Sequence, residues 1–145
     1  MKKSSIEELG GRKLLEKAMK VFYDKVYEHP WLGLYFKEVP QEVIEKQQVD
    51  FMIGAFGGPK SLYSGRLPVE VHQNMLITDE LFDLREKILL ESLEEIQAPK
   101  ELIERWFKID EAFRAGITKK SIDECTKSFA TEEFIAFDKD GKKVA

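Results

Sequence analysis

His72 stands in "LPVEVHQNMLIT", among Leu67, Val71, Met75 and Leu76, and is one of only two histidines in the 145-residue chain. An imidazole on an apolar helix face is packed, partly exposed, or kept there to bind or to exchange a proton. Two more polar side chains share the anomaly. Tyr23 follows Phe22 and lies four residues after Met19. Gln48 lies four residues after Ile44, three before Phe51 and four before Met52. A buried amide without a hydrogen bond costs roughly 1–3 kcal/mol. Gln48 is therefore a core amide satisfied by its neighbours, a side chain rotated to solvent, or a donor to something bound. Tyr23 reads equally well as a core tyrosine with its hydroxyl at the surface.

Most side-chain chemistries lack their parts. Two histidines and the single Cys125 argue against a protein-only zinc or di-iron centre, and no Glu-x-x-His motif pairs with a second. There is no Gly-x-Ser-x-Gly elbow, Walker loop or dinucleotide fingerprint; "FGGP" has neither the preceding strand nor the spacing. One kind of centre needs only one histidine. An iron porphyrin brings four nitrogens, so the protein supplies one axial imidazole and a flat apolar slot. Phe36, Phe51, Val71 and Phe82 are candidates for the walls, His72 for the ligand, and Tyr23 and Gln48 for donors to a polar gas on the sixth position.

These residues need helices to position them. Leu15, Met19, Phe22 and Val26 recur at spacings of three and four, predicting an amphipathic helix over residues 12–28 that ends before Pro30. A second helix opens near Pro40 with Ile44, Gln48, Phe51 and Ala55 on one side, and "GGP" at 57–59 stops it, two glycines being free to adopt positive φ. A short helix over about 67–75 carries His72. Thr78 is placed to cap a long helix reaching about Gln97, and Leu102, Trp106, Ile109, Phe113 and Ile117 mark the last one. His29, at a helix end, reads as a surface residue. "EFIAFDKDGKKVA" has strand-like flavour and turn chemistry at Asp140-Gly141. The expectation is an all-α domain over 1–118 followed by an extension, 119–145, of uncertain structure, with Cys125 in a polar, weakly structured tail.

Composition sets the class. Hydrophobic residues at 43% and charged residues at 34% fit one soluble globular domain, and a net charge of −4 with scattered Lys and Arg gives no nucleic-acid footprint. No apolar run approaches the roughly 20 residues that cross a bilayer, and the N-terminus lacks the apolar stretch of a signal peptide. With one cysteine, the expected setting is the reducing cytoplasm.

In order and spacing, "LGG" at 9–11, "FYDKVYEHPWLGLYF", "FMIGAFGGP", "YSGR", "VHQNMLIT" and "LFD" resemble the truncated haemoglobins, most closely their first group. The resemblance runs from about Leu9 to Pro99. It implies a shortened globin fold, two helix pairs sandwiched around haem b, with the first helix nearly absent. It makes His72 the proximal iron ligand and Tyr23 and Gln48 the polar pair facing the gas. Ile44 falls where larger globins place a distal histidine, and Phe36 matches the phenylalanine that stacks on the porphyrin. Phe51, Met52, Tyr63, Val71, Ile77 and Phe82 fall at pocket-lining positions. Gln47 stands where some relatives carry a second internal histidine ligand, Met52 replaces a frequent aromatic, and "PKSLY" is one residue longer than usual.

The implied ligands are O2, NO and CO, and the implied activity is NO dioxygenation, which needs an external reductase. Two other classes stay open. One is a haem-based gas or redox sensor signalling through the tail; the other is a haem-free helical adaptor.

Overall fold

The computed structural model describes residues 4–59, 63 and 68–144. Helix α1 (Gly11–Glu28) is followed by a 3-10 turn (Leu32–Phe36), α2 (Gln41–Ala55), the single turn α3 (Pro68–Val71), α4 (Asp79–Glu95), α5 (Lys100–Ile117) and a second 3-10 turn (Ile122–Glu124). Two isolated bridges, and no strands, occur among the described residues. Helix α1 packs on α2 and α4, and α4 on α5, giving two helix pairs joined through α1.

The α1 periodicity buries Leu15, Ala18, Met19, Phe22, Tyr23 and Val26 on one face. Thr78 caps α4 as its sequence suggests, its hydroxyl accepting from the Leu81 amide at 3.2 Å. Trp106 from α5 and Phe22 from α1 are the largest fully buried side chains of the common core.

Helix α2 is turned from the expected register. Its fully buried face carries Val49, Met52 and Ile53, whereas Ile44, Gln48 and Phe51 are half-buried and Ala55 is exposed. The reason is an ion pair that hydropathy does not reveal. Asp50 is buried and bonded at 2.8 Å both to Arg12 and to Lys46, which pins α2 to the start of α1. Of the two glycines that follow α2, only Gly57 takes a positive φ, 95°. Gly58 is needed for a different reason: a Cβ there would lie 2.9 Å from the Ile53 carbonyl oxygen.

His29 is half-buried rather than at the surface. Its Nδ1 accepts from the Trp31 and Leu32 amides at 3.1 and 3.2 Å, capping the 3-10 turn. The helix predicted over 67–75 shrinks to α3, so His72 sits just beyond it in a turn. Leu67, Lys60 to Leu62 of "PKSLY" and Ser64 to Arg66 of "YSGR" lie outside the described residues.

Beyond α3 the tail supplies the backbone's partners. The Gln73 carbonyl accepts from the Thr126 amide at 2.8 Å and the Asn74 carbonyl from the Ile135 amide at 2.9 Å. The tail thus lies against residues 72–77, with a parallel bridge between Met75 and Ile135. Cys125, expected in a loosely structured tail, is buried with Leu76 and Ala136 in a second small core. Beyond it, Phe137 and Lys143 pair around a turn in which the Gly141 amide donates to the Asp138 carbonyl, as Asp140-Gly141 predicts.

Candidate functional site

Histidine 72 follows the four residues of α3, and its ring Nδ1 lies 2.5 Å from the Pro68 carbonyl oxygen. A carbonyl only accepts, so Nδ1 carries the proton and the ring's lone pair is on Nε2. A histidine that holds a metal commonly fixes its other nitrogen in this way. No cluster of three or more metal-binding side chains occurs among the described residues, so His72 fits a centre in which a prosthetic group supplies the remaining ligands.

Half-buried aromatic and aliphatic side chains mark the edge of the core. Phe36, Ile44, Phe51 and Ile77 pack against it without being enclosed by it. Phe36 meets Tyr23 edge-on at 5.8 Å between ring centroids, and Phe51 meets Tyr63 at 5.3 Å and Phe113 at 5.9 Å. Val71 ends α3 and is also half-buried. Two expected wall residues sit differently. Met52 is fully buried within the main core, and Phe82 is buried outside it, under the Arg114 guanidinium at 4.3 Å.

Tyr23 is buried, and burial pushes its phenol up to about 12, against the opposing pull of Arg85. At neutral pH it is a neutral O–H donor. Gln48 is half-buried, and no side chain among the described residues hydrogen-bonds its amide.

Beside Tyr23 lies a charged group that sequence reasoning missed. Arg85 Nη1 is 3.0 Å from Asp110 Oδ2 and 3.5 Å from Glu86 Oε2, with the guanidinium carbon 5.1 Å from the Phe22 ring centre. Arg85 keeps 22% of its side-chain surface accessible. Burial works against its charge, but the Asp110 carboxylate holds it firmly protonated. Glu86 has both carboxyl oxygens buried without a hydrogen-bond donor. Burial raises its pKa to about 8, Arg85 opposing and Asp110 reinforcing the shift. The 3.5 Å approach to Arg85 is too poorly aligned to count as a hydrogen bond, which is why burial prevails. The signal was available: Arg85 lies three residues after Phe82 and four before Leu89, and Asp110 four after Trp106, each on its helix's apolar stripe.

Half-buried apolar side chains at the core's edge, a histidine with its Nε2 lone pair set by a backbone carbonyl, and a buried neutral tyrosine are residue types that fit haem. The comparisons with known proteins agree. A family model described as bacterial-like globin matches residues 4–119. The group 1 truncated haemoglobin of Tetrahymena thermophila is 32% identical over 108 residues, covering 74% of this chain and 88% of that protein. The crystal structure of the Tetrahymena pyriformis truncated haemoglobin in its Fe(III) form superposes with a TM-score of 0.71 at 30% identity, covering 79% of this chain and 97% of that one. The 2/2 haemoglobin of Synechococcus sp. PCC 7002, solved in the cyanomet state with covalently attached haem, gives 0.71 at 28% identity, covering 81% and 100%. No helix is long and apolar enough to cross a membrane among the described residues. The haem-free adaptor is set aside, for the chain belongs to the bacterial-like globins as a truncated haemoglobin of the first group, with the two-over-two fold and haem as its cofactor.

Proposed function

We propose that this globin holds haem iron through His72 Nε2 and stabilises bound O2 with the Tyr23 hydroxyl and the Gln48 amide, and that its activity is NO dioxygenation. The observation that carries this reading is the His72 ring, its Nδ1 proton held by the Pro68 carbonyl, in a chain that also buries a neutral tyrosine hydroxyl at Tyr23. Haem supplies the ferrous iron at which the gases bind, and NO, O2 and one electron together give nitrate.

The chain's own residues do the rest. Phe36, Ile44, Phe51, Tyr63, Val71 and Ile77 supply the apolar boundary that keeps water from the cofactor. A neutral phenol and amide donate hydrogen bonds to the partial negative charge of a bound oxygen, each contributing about 0.5–1.5 kcal/mol. Together that is roughly tenfold or more in residence time. Slow release suits consumption of O2 on the protein better than delivery. The electron comes from an external reductase, since the sequence has no nucleotide-binding fingerprint.

The test is rapid-mixing of the oxygenated protein with NO. Stoichiometric nitrate, and slower turnover in Tyr23→Phe, are expected; consumption no faster than by a globin lacking both donors overturns the dioxygenase assignment. A second reading, a gas sensor transmitting through residues 119–145, draws on the tail's hydrogen bonds to residues 73 and 74. It expects ligand binding to alter the tail's affinity for a partner protein.

A further inference from the structure

We propose that the tail from Lys119 to Phe137 is a strap that positions the proximal histidine, with Lys119 as its principal positioning residue. This rests on the reading of His72 as the axial ligand.

The strap answers a mechanical problem. α3 has four residues, and one helical turn is too short to hold a shape by itself. His72 lies beyond its end, where its amide donates back to the Pro68 carbonyl at 3.3 Å and its carbonyl accepts from the Met75 amide at 3.0 Å, and the tail adds further ties. The tail does this nearly carbonyl by carbonyl. The Lys119 ammonium donates to the His72 carbonyl at 2.8 Å and to the Ile117 carbonyl at 3.0 Å, tying the histidine to the end of α5. The Lys119 amide donates to the Ile77 carbonyl at 2.8 Å. Between these points, Thr126 and Ile135 amides satisfy the Gln73 and Asn74 carbonyls, and the Leu76 amide donates back to the Ile135 carbonyl at 2.8 Å. The Asn74 amide group donates to the Glu133 carbonyl at 3.1 Å.

Both ends are anchored. Leu76 inserts between Cys125 and Ala136. At the far end Trp31 Nε1 donates to the Phe137 carbonyl at 2.9 Å, and the Tyr35 hydroxyl donates to the Leu76 carbonyl at 2.8 Å while accepting from the Phe137 amide at 3.0 Å. Tyr35 thereby joins strap, proximal segment and the corner that carries Phe36. A backbone held at five of the six residues from His72 to Ile77 has little freedom to let the imidazole tilt. Because hydrogen bonds to a charged donor are the stronger kind, Lys119 is the contact whose loss should be felt most at His72.

The experiment uses the full chain in two states. In the ferrous haem-bound protein, resonance Raman spectroscopy reads the iron–histidine stretch; in the haem-free protein, hydrogen exchange reads the Leu76 amide. Lys119→Met and Ile135→Pro are each expected to shift and broaden the stretch and to speed Leu76 exchange by about tenfold, the worth of roughly one hydrogen bond. Amides in α1 should keep their protection, Lys119→Arg should restore the wild-type band, and Lys120→Met, next door and exposed, should change neither readout. A His72-dependent stretch indifferent to both strap variants overturns the strap alone, as does a Leu76 amide unprotected in the wild type. A stretch that persists in His72→Gly overturns the ligand assignment and the strap with it. If Ile135→Pro does not fold, Lys119→Met decides.

Discussion

Arg85 and Asp110, from neighbouring helices, face each other at 3.0 Å inside the molecule, within charge and hydrogen-bonding reach of the Tyr23 hydroxyl. Removing one partner of a buried pair strands the other charge, which typically costs 3–5 kcal/mol. Arg85→Leu is therefore expected to lower the stability of the haem-free protein by about that much in urea titration. Arg85→Leu combined with Asp110→Leu should recover most of the loss, because no unpaired charge remains. Equal destabilisation of single and double variants would mean that packing, not charge, is what Arg85 contributes.

Glu86 makes a pH prediction with a definite sign. Its folded pKa, about 8, lies above its ordinary value of 4.5, so between these the native state holds a proton that the unfolded state has released. Stability from this group is complete below about pH 4.5 and declines as pH rises toward 8, by up to about 1.4 kcal/mol per pH unit. Glu86→Gln keeps the shape and has no proton to lose. Its denaturation midpoint should fall less steeply than the wild type's from pH 5 to 8; parallel curves would place the Glu86 proton elsewhere.

Asp50 behaves oppositely. Burial alone would raise its pKa, but hydrogen bonds from Lys46 and Arg12 outweigh it and hold the carboxyl below its ordinary range. Its contribution is present above about pH 4 and lost as pH falls through the lowered value. Asp50→Asn should cost about 1–2 kcal/mol at pH 7 and much less near pH 3, allowing for the exposure of both cationic partners. Thermal denaturation at the two pH values separates these cases.

Tyr23→Phe tests the donor directly. The ring and its edge-on contact with Phe36 remain, so haem should bind normally and the Soret band persist. O2 dissociation measured by CO displacement should accelerate about tenfold, the value of one well-placed hydrogen bond. An unchanged rate would leave Gln48 as the donor, and Gln48→Leu would then carry the whole effect.

The helices were legible because their information is local. Leu15, Met19, Phe22 and Val26 declare the inner face of α1, and Thr78 with Asp79 and Glu80 declares the start of α4. The chemistry-bearing types were legible too, since a polar residue among apolar ones is conspicuous. Three features were not. The register of α2 turns on Asp50 meeting Arg12, 38 residues away by sequence number. The Arg85–Asp110 pair sits on two apolar stripes, each of which tolerates one charge without losing its periodicity. The segment after α3 takes hydrogen-bond partners from Thr126 and Ile135, far along the chain. Pattern reading sees a segment's own residues and not its competitors.

The order in which this protein is finished follows from where the strap's bonds fall along the chain. Lys119 reaches back 47 positions to His72, and Trp31 waits 106 positions for Phe137. Contacts of such separation form late, after the loop entropy between them has been overcome. During synthesis the helices from α1 to α5 emerge and collapse before the tail exists, so the histidine segment is the last part of the globin to be fastened. With the proposed strap, cofactor capture is expected to precede its closure. In pulse-labelling of refolding protein, the Leu76 amide is expected to become protected after those of α1, and sooner when haem is already present.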